Sequence, residues 1–554
     1  MEPEDKFAPD FEPFDLSDEE RHSIEPFFTN LTDSVFAVPF LPPEVVGALC
    51  SRTSRAKDDL RLIFLNEFAK PFLAEPGEYQ KALAALIEFL HRYPVEMIFS
   101  NPKGREFYVK WLSQFGDDSI AQMAGTHLVY SGLSQVAIKH LEDMRIGLSP
   151  IEKSTRYVDY GNKSNGRYRY YTDPTLKELG LESEYREAMD GLFRTYGDLA
   201  AKYYGILKGG HPDEKESVLR TKAYDTVRGL LPAATLSQVS FFGNGQVFEY
   251  AMNRSLNHPL GEIRWAGAAA FRELNRVVPA FLRRLTSDQS SAYRTYLSER
   301  GKRIREWLRG SGWETKPAPA EPGVKLLEYD PDGEDKVIAG LLYPELHASF
   351  PEVLAKVKAM SGGEKEELLQ RVLHDRTARW QKIPRAFENA YLRFEIIMNI
   401  GAWRDLHRHR LQTQFREKWH IYLGFDVPPE LEAAGLAEDF RSAVRKAEDV
   451  YRKIEAKDPE LAQYASTLSH RLRFVQYQNL RALFWETELR TIPQGHPDYR
   501  RVEQEKARLV RETYPLLSKY LLADMNEYDF ARRETAGSID QKEKELKEYL
   551  EKSG

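Results

Sequence analysis

The chain has 554 residues, a formal net charge of −6, and 42% hydrophobic and 30% charged residues. That length exceeds one ordinary core and predicts at least two domains, and the charge argues against a general nucleic-acid binder. A single cysteine, Cys50, excludes an intramolecular disulfide framework and points to a reducing, cytoplasmic setting.

The first thirty residues are acidic, lack an apolar core, and read as a flexible arm rather than a signal peptide. Helical periodicity begins near Pro42 and continues with breaks to about Trp307, as in EYQKALAALIEFLHRY. The segment Arg309 to Gly323 is rich in Gly, Pro and Ala and reads as a linker. VKLLEYDP then reads as a short strand running into a turn. Helical segments resume from about Pro351 to Leu522, and IDQKEKELKEYLEKSG reads as a charged surface helix. No apolar run is long enough to span a membrane. No CxxC, HExxH or EF-hand spacing marks a metal site. The fold class is α+β, mostly helical.

The two halves share an order of features, which predicts a duplication. Arg254 precedes Glu262-Ile263-Arg264 by eight residues, and Arg490 precedes Asp498-Tyr499-Arg500 by eight. LLPAATLSQVSFFGNGQVFEYAMNR aligns in apolar phase with STLSHRLRFVQYQNLRALFWETELR. This alignment sets Gly243 and Gly245 opposite Asn479 and Arg481, and Arg254 opposite Arg490. The first copy carries Glu152, Ser154, Arg156 and Arg228, where the second has Arg416, Lys418, His420 and Tyr464. The second carries Arg408-His409-Arg410, of which the first keeps only Arg145. The predicted organisation is an arm over 1–30, repeats over 31–308 and 324–522 joined by 309–323, and a tail over 523–554. Read without the rest, the RHR triplet fits a solvated helix end, where cations favour the C-terminal dipole.

Together these residues resemble the flavin-dependent thymidylate synthase (ThyX) family, whose signature is RHRxxSxNExSxRY. RHRLQT, Arg408 to Thr413, is similar to its first part and SPIEKSTRY, Ser149 to Tyr157, to its second. VRGLLP, GEIR, NLR and the Leu489-Arg490 pair are similar to further family segments in the same order. The resemblance implies two tandem ThyX-like domains, each with a small sheet packed by long helices. It further implies sites built from complementary halves of the two repeats, in a homodimer that acts as a pseudo-tetramer.

The implied activity is reductive methylation of dUMP to dTMP, with FAD as cofactor and methylenetetrahydrofolate and NADPH as co-substrates. Flavin would be held by Arg408, His409, Arg410, Asn479, Arg481 and Ser119. Nucleotide would be held by Glu152, Ser154, Thr155, Arg156, Arg228, Asp405, Arg408 and Arg490. Arg490 is the implied catalytic residue, stabilising negative charge on the base. Guanidinium forks suit phosphate oxygens, which fits the arginine-rich set. Cys50 is not needed as a nucleophile, and its apolar neighbours predict burial. Two departures stand out. Asp405 occupies the place of a base-reading glutamine, and Asp117 that of an early histidine. They motivate two alternatives: a flavin enzyme acting on another pyrimidine nucleotide, and a non-catalytic nucleotide-binding descendant.

Overall fold

The structure is a computed structural model that describes residues 2–98, 101–108, 110, 118–144, 146–313, 318–530, 541–542 and 544–549. The chain forms two compact units, neither continuous in sequence. One comprises Met1–Asp198, Leu230–Lys316 and Glu438–Thr467; the other comprises Leu199–Gly229, Pro317–Ala437 and Leu468–Gly554.

The first unit carries strands β1 (Val35–Val38), β2 (Gly125–Ser134), β3 (Leu148–Glu152) and β4 (Leu236–Asn244). They pair antiparallel in the order β1-β2-β4-β3. The second unit carries β5 (Gly323–Tyr329), β6 (Tyr391–Asn399), β7 (Thr413–Arg416) and β8 (Arg471–Asn479). They pair antiparallel in the order β5-β6-β8-β7. The shared strand order is the duplication expressed as topology. The strand expected in VKLLEYDP is β5.

Each sheet is backed by helices that start at strand ends. Ser134 ends β2 and caps the helix Gln135–Glu142, accepting from the Ala137 N–H. Asn399 ends β6 and caps Ile400–Leu406 in the same way, accepting from Ala402. Asn244 caps Gly245–Ser255, and Asn479 caps Leu480–Arg490. Such caps satisfy an orphan N–H and contribute about 1 kcal/mol each.

These caps correct the sequence alignment by one residue. Asn479 is matched by Asn244, not by Gly243, because both end the central strand and begin an eleven-residue helix. Arg481 is then matched by Gln246, and Arg490 by Ser255 rather than by Arg254. The slip disappears at the next helices, Gly261–Val277 and Pro497–Thr513, because the intervening loops differ in length by one residue. Alignment by apolar content alone tolerates this slip, whereas a strand does not, since one residue reverses every side chain's face.

The N-terminal segment is not a free arm. Ser17 and Glu20 form a capping box on the helix Asp18–Ile24, and Phe7, Ile24, Phe27 and Phe28 are buried. Those four apolar side chains outweigh the acidic composition that suggested an arm. Cys50 is buried, and burial pushes its thiol above the usual range. At the far end, residues 544–549 are helical and leave Leu546 and Tyr549 exposed. Among the described residues, no helix is long and apolar enough to cross a membrane, and no group of metal-ligating side chains occurs.

Candidate functional site

A cavity of about 430 Å³ opens in the second unit beside the end of β8. Its lining includes Arg408, His409, Arg410, Asn479, Arg481 and Arg490, six of the residues singled out from sequence. The Asn479 cap and the first turn of Leu480–Arg490 bring Asn479 and Arg481 to one wall, and the last turn brings Arg490. Arg408, His409 and Arg410 arrive from the turn that follows Ile400–Leu406.

Four of these groups are fixed by identifiable bonds. Arg490 Nε donates to His409 Nε2 at 2.8 Å. Burial, more than any neighbouring charge, pushes the His409 imidazole down to about 4, so the ring is neutral at pH 7. The Asn479 Oδ1 accepts from the Ala482 N–H at 2.8 Å. Arg481 donates from Nε to the Ile383 carbonyl at 3.0 Å and pairs with Glu388 at 3.2 Å.

Three further cations line the cavity that sequence reasoning missed. Arg376 pairs with the buried Glu488 at 2.6 Å and donates to the Tyr520 carbonyl at 2.7 Å. Arg379 and Lys382 lie over the Trp485 ring, at 5.6 and 2.8 Å from its centroid. The lining therefore holds seven Arg and Lys side chains against two carboxylates, Glu388 and Glu488. In a chain of net negative charge, that excess makes the cavity lining locally electropositive.

Behind the cavity lies a buried polar network. Lys506 is fully buried between Glu503 at 3.0 Å and Glu486 at 3.3 Å. Gln476 and Gln478 both donate their amide N–H groups to Glu486. Gln476 also donates to Gln412, whose own amide donates to the His409 carbonyl at 2.9 Å. The RHR turn is thus tied to the interior through Gln412. In the first unit, Phe241, Gly243 and Ala251 stand at the positions matching Gln476, Gln478 and Glu486.

Arg228 and Asp405 also meet within the second unit. Arg228 is buried and lies 3.9 Å from Asp405, with its Nη2 donating to the Gly401 carbonyl at 3.3 Å. Asn399 donates to Asp498 at 2.8 Å; burial would raise that carboxyl, but His496 first, then Arg501, the Asn399 bond and Arg228, hold it below the usual range. The first unit has a related cluster without the cation. There Glu262 accepts from the Ser134 N–H at 2.8 Å and from the Tyr464 hydroxyl at 2.7 Å. Burial drives Glu262 up to about 7, partly offset by these bonds.

The remaining predicted residues belong to the first unit. Glu152 ends β3 and is buried, accepting from Gln135 at 2.8 Å and pairing with Lys139 at 2.9 Å. Ser154 accepts at Oγ from the Arg156 N–H at 3.2 Å, and Thr155 and Arg156 are buried. Ser119 sits exposed in the helix Asp118–Ala121. Asp117 and Arg145 lie outside the described residues. Arg254, read as the counterpart of Arg490, instead contacts the Met144 sulfur at 3.7 Å and the Tyr250 ring.

The sequence model of the family described as thymidylate synthase complementing protein matches residues 78–280 and 325–516. The chain belongs to that family. The two matched segments show a tandem duplication of the family's unit, fused in one chain. Relatives described as UPF0159 proteins span nearly the whole length. One from Chlamydia muridarum is 35% identical over 94% of this chain and 97% of its own. One from Thermoplasma acidophilum is 28% identical over 88% of this chain and 96% of its own. Among solved structures, a UMP/dUMP methylase from Streptomyces cacaoi bound with 5-Br dUMP is 16% identical, with a TM-score of 0.30. That likeness covers 37% of this chain and 96% of that one.

Proposed function

We propose that this member of the thymidylate synthase complementing family is a flavin-dependent enzyme that reductively methylates dUMP to dTMP. Methylenetetrahydrofolate would be the carbon donor and NADPH the reductant. The observation that carries the reading is the cavity beside β8. It draws the RHR turn, the Asn479 cap, Arg481 and Arg490 from separate stretches of sequence to one wall set, with seven cations against two carboxylates.

The residues present fit FAD. Its pyrophosphate is a dianion suited to guanidinium forks, and Arg408 and Arg410 supply them. Asn479 commits its Oδ1 to the helix cap and keeps its amide N–H groups as donors to a ring carbonyl. Trp485 offers an aromatic face beside Arg379 and Lys382. When bound, FAD supplies the redox chemistry that no side chain here provides.

The protein's own part is positioning and electrostatics. His409, held neutral, accepts from Arg490 and orients that guanidinium. Arg490 then offers fixed positive charge to a bound ring that gains negative charge, without reorganisation. Glu152, Ser154, Thr155 and Arg156 are assigned to the nucleotide by the family motif. Substituting Arg156→Ala and Arg408→Ala in turn, and measuring dUMP affinity, tests whether both act on that ligand. The proposed assembly is a cytoplasmic homodimer, checked by light-scattering mass.

A second reading is favoured by one observation. Asp405 lies 3.9 Å from Arg228, so a carboxylate shares the guanidinium that a nucleotide phosphate would use. This suits a flavin enzyme whose base differs from uracil, because a carboxylate accepts from an amino or imino group. The visible spectrum of the purified protein, recorded while dUMP is titrated, separates the readings. A flavin band that shifts supports thymidylate synthesis. A band indifferent to dUMP supports the altered substrate. No flavin after FAD is added leaves only a non-catalytic nucleotide binder.

A further inference from the structure

Gln478 is a buried amide in the cavity lining. It lies on β8 and is 1% exposed. Its Nε2 donates to Glu486. Its Oε1 is buried and has no hydrogen-bond partner. A buried acceptor left unmatched costs about 1–3 kcal/mol, so such an atom calls for an explanation.

The amide cannot be relieved by turning over. Glu486 is fully buried, and burial alone would raise it, but Lys506 foremost, together with the Gln478 bond, holds it in the charged form. A flipped Gln478 would set its carbonyl against that carboxylate. The orientation is therefore fixed by charge: N–H groups toward Glu486, and the oxygen free for another donor. Gln476, two residues earlier on the same face, donates to the same carboxylate and reinforces the arrangement.

Asn479, Arg481 and Arg490 line the same cavity and are rich in N–H groups. An acceptor among donors is the complement of an edge that reads carbonyl, N–H, carbonyl. We propose that Gln478 reads the imide N–H of a ring carrying that edge, a cyclic imide such as an isoalloxazine or a uracil. The inference rests on the cavity being the ring's site, as proposed above, and goes beyond it by naming the atom that selects the ring.

The first unit supplies a control within the same chain. Gly243 stands at the position matching Gln478, and a Cβ there would meet Val247 at 2.9 Å, Leu148 at 3.0 Å and Phe248 at 3.1 Å. Ala251 stands where Glu486 does. The acceptor and the carboxylate that orients it are absent together, and apolar side chains fill the space.

The test uses the full-length protein and two matched pairs of probes: FAD with its N3-methyl derivative, and dUMP with its N3-methyl derivative. Methylation removes the one donor that Gln478 would read. For at least one pair, the parent should bind about tenfold or more tightly than its methylated partner, as expected for losing one buried bond. The pair that discriminates identifies whether flavin or uracil is the ring. Gln478→Leu should bring that ratio close to one by weakening the parent alone. Should Gln478→Leu fail to fold, FAD labelled with ¹⁵N at N3, or dUMP labelled likewise, reports on the wild-type protein. The bound imide proton should be protected from solvent exchange. Parents that bind without discrimination, a ratio that survives in Gln478→Leu, or a freely exchanging imide proton would each overturn the role of Gln478 while leaving the flavin reading standing. Failure of both parents to bind would overturn the two together.

Discussion

Arg490 Nε donates to His409 Nε2 across 2.8 Å, so the single proton of the neutral imidazole resides on Nδ1. Burial lowers the ring first, and Arg490 and Lys506 add to it against the opposing pull of Glu486 and Asp405. We expect His409 to show no titration between pH 5 and 8 in a ¹⁵N-imidazole NMR series. Arg490→Ala should raise its midpoint only part of the way toward the usual 6.5, because burial remains.

The same group should leave a mark on stability. His409 titrates at about 4 in the folded protein and near 6.5 in an unfolded chain. Below about pH 6.5 the unfolded state binds the proton first, so stability falls as pH drops toward about 4. His409→Asn should flatten that part of the profile in chemical denaturation measured at pH steps.

Glu262 gives the opposite slope. Its folded value is pushed up to about 7, above the usual carboxylate range, so the native state holds a proton that the unfolded chain has released. Its contribution is full at low pH and is lost as pH rises through about 7. Glu262→Gln should be least favourable at pH 5 and comparatively stabilising at pH 8, as read from melting temperatures across that range.

Lys506 is fully buried between two carboxylates. Removing one partner of such a cluster leaves uncompensated charge and costs about 3–5 kcal/mol. Lys506→Ala should lower the unfolding free energy, read from chemical denaturation, by that order. Lys81→Ala, which removes an exposed pair with Glu78, should stay within about 0.5 kcal/mol of wild type.

Seven cations around one cavity make anion binding dependent on ionic strength. FAD affinity should weaken as salt rises from 50 to 500 mM, on the order of several-fold. Arg408→Ala should cost about 10–100-fold in FAD affinity, the range for a charge-assisted bond. Arg410→Ala should behave alike, whereas Arg254→Ala, in the first unit, should leave affinity unchanged.

Much of the cavity was legible because its chemistry sits in short contiguous strings. RHR, NLR and LR each carry their meaning locally, and residues of all three line the cavity. Arg376, Arg379 and Lys382 were not legible, because HDRTARWQK reads like any solvated charged turn until Trp485 and Glu488 face it. Lys506 and Glu503 were missed for a related reason: a Glu and Lys three apart on a helix is ordinarily a surface pair. Gln478 did have a signal. β8 alternates, and its inward positions run Leu472, Phe474, Gln476, Gln478, so polar residues occupy a buried phase. The misplacement of Arg254 came from matching apolar content without the helix caps, which alone fix the register. The N-terminal arm was misread because composition records acidity but not where Phe7 and Phe27 pack.

Phe241, Gly243 and Ala251 show what joining two copies in one chain permits. In an assembly of identical subunits, a substitution strikes every copy at once, so each position must satisfy all of its roles together. Fusion removes that coupling. One copy carries Phe241, Gly243 and Ala251 where the other carries Gln476, Gln478 and Glu486, while each keeps its own buried lysine between two carboxylates, Lys139 in the first and Lys506 in the second. Binding should accordingly saturate at one equivalent of ligand per chain, half of what a duplicated ancestor with two intact copies would hold.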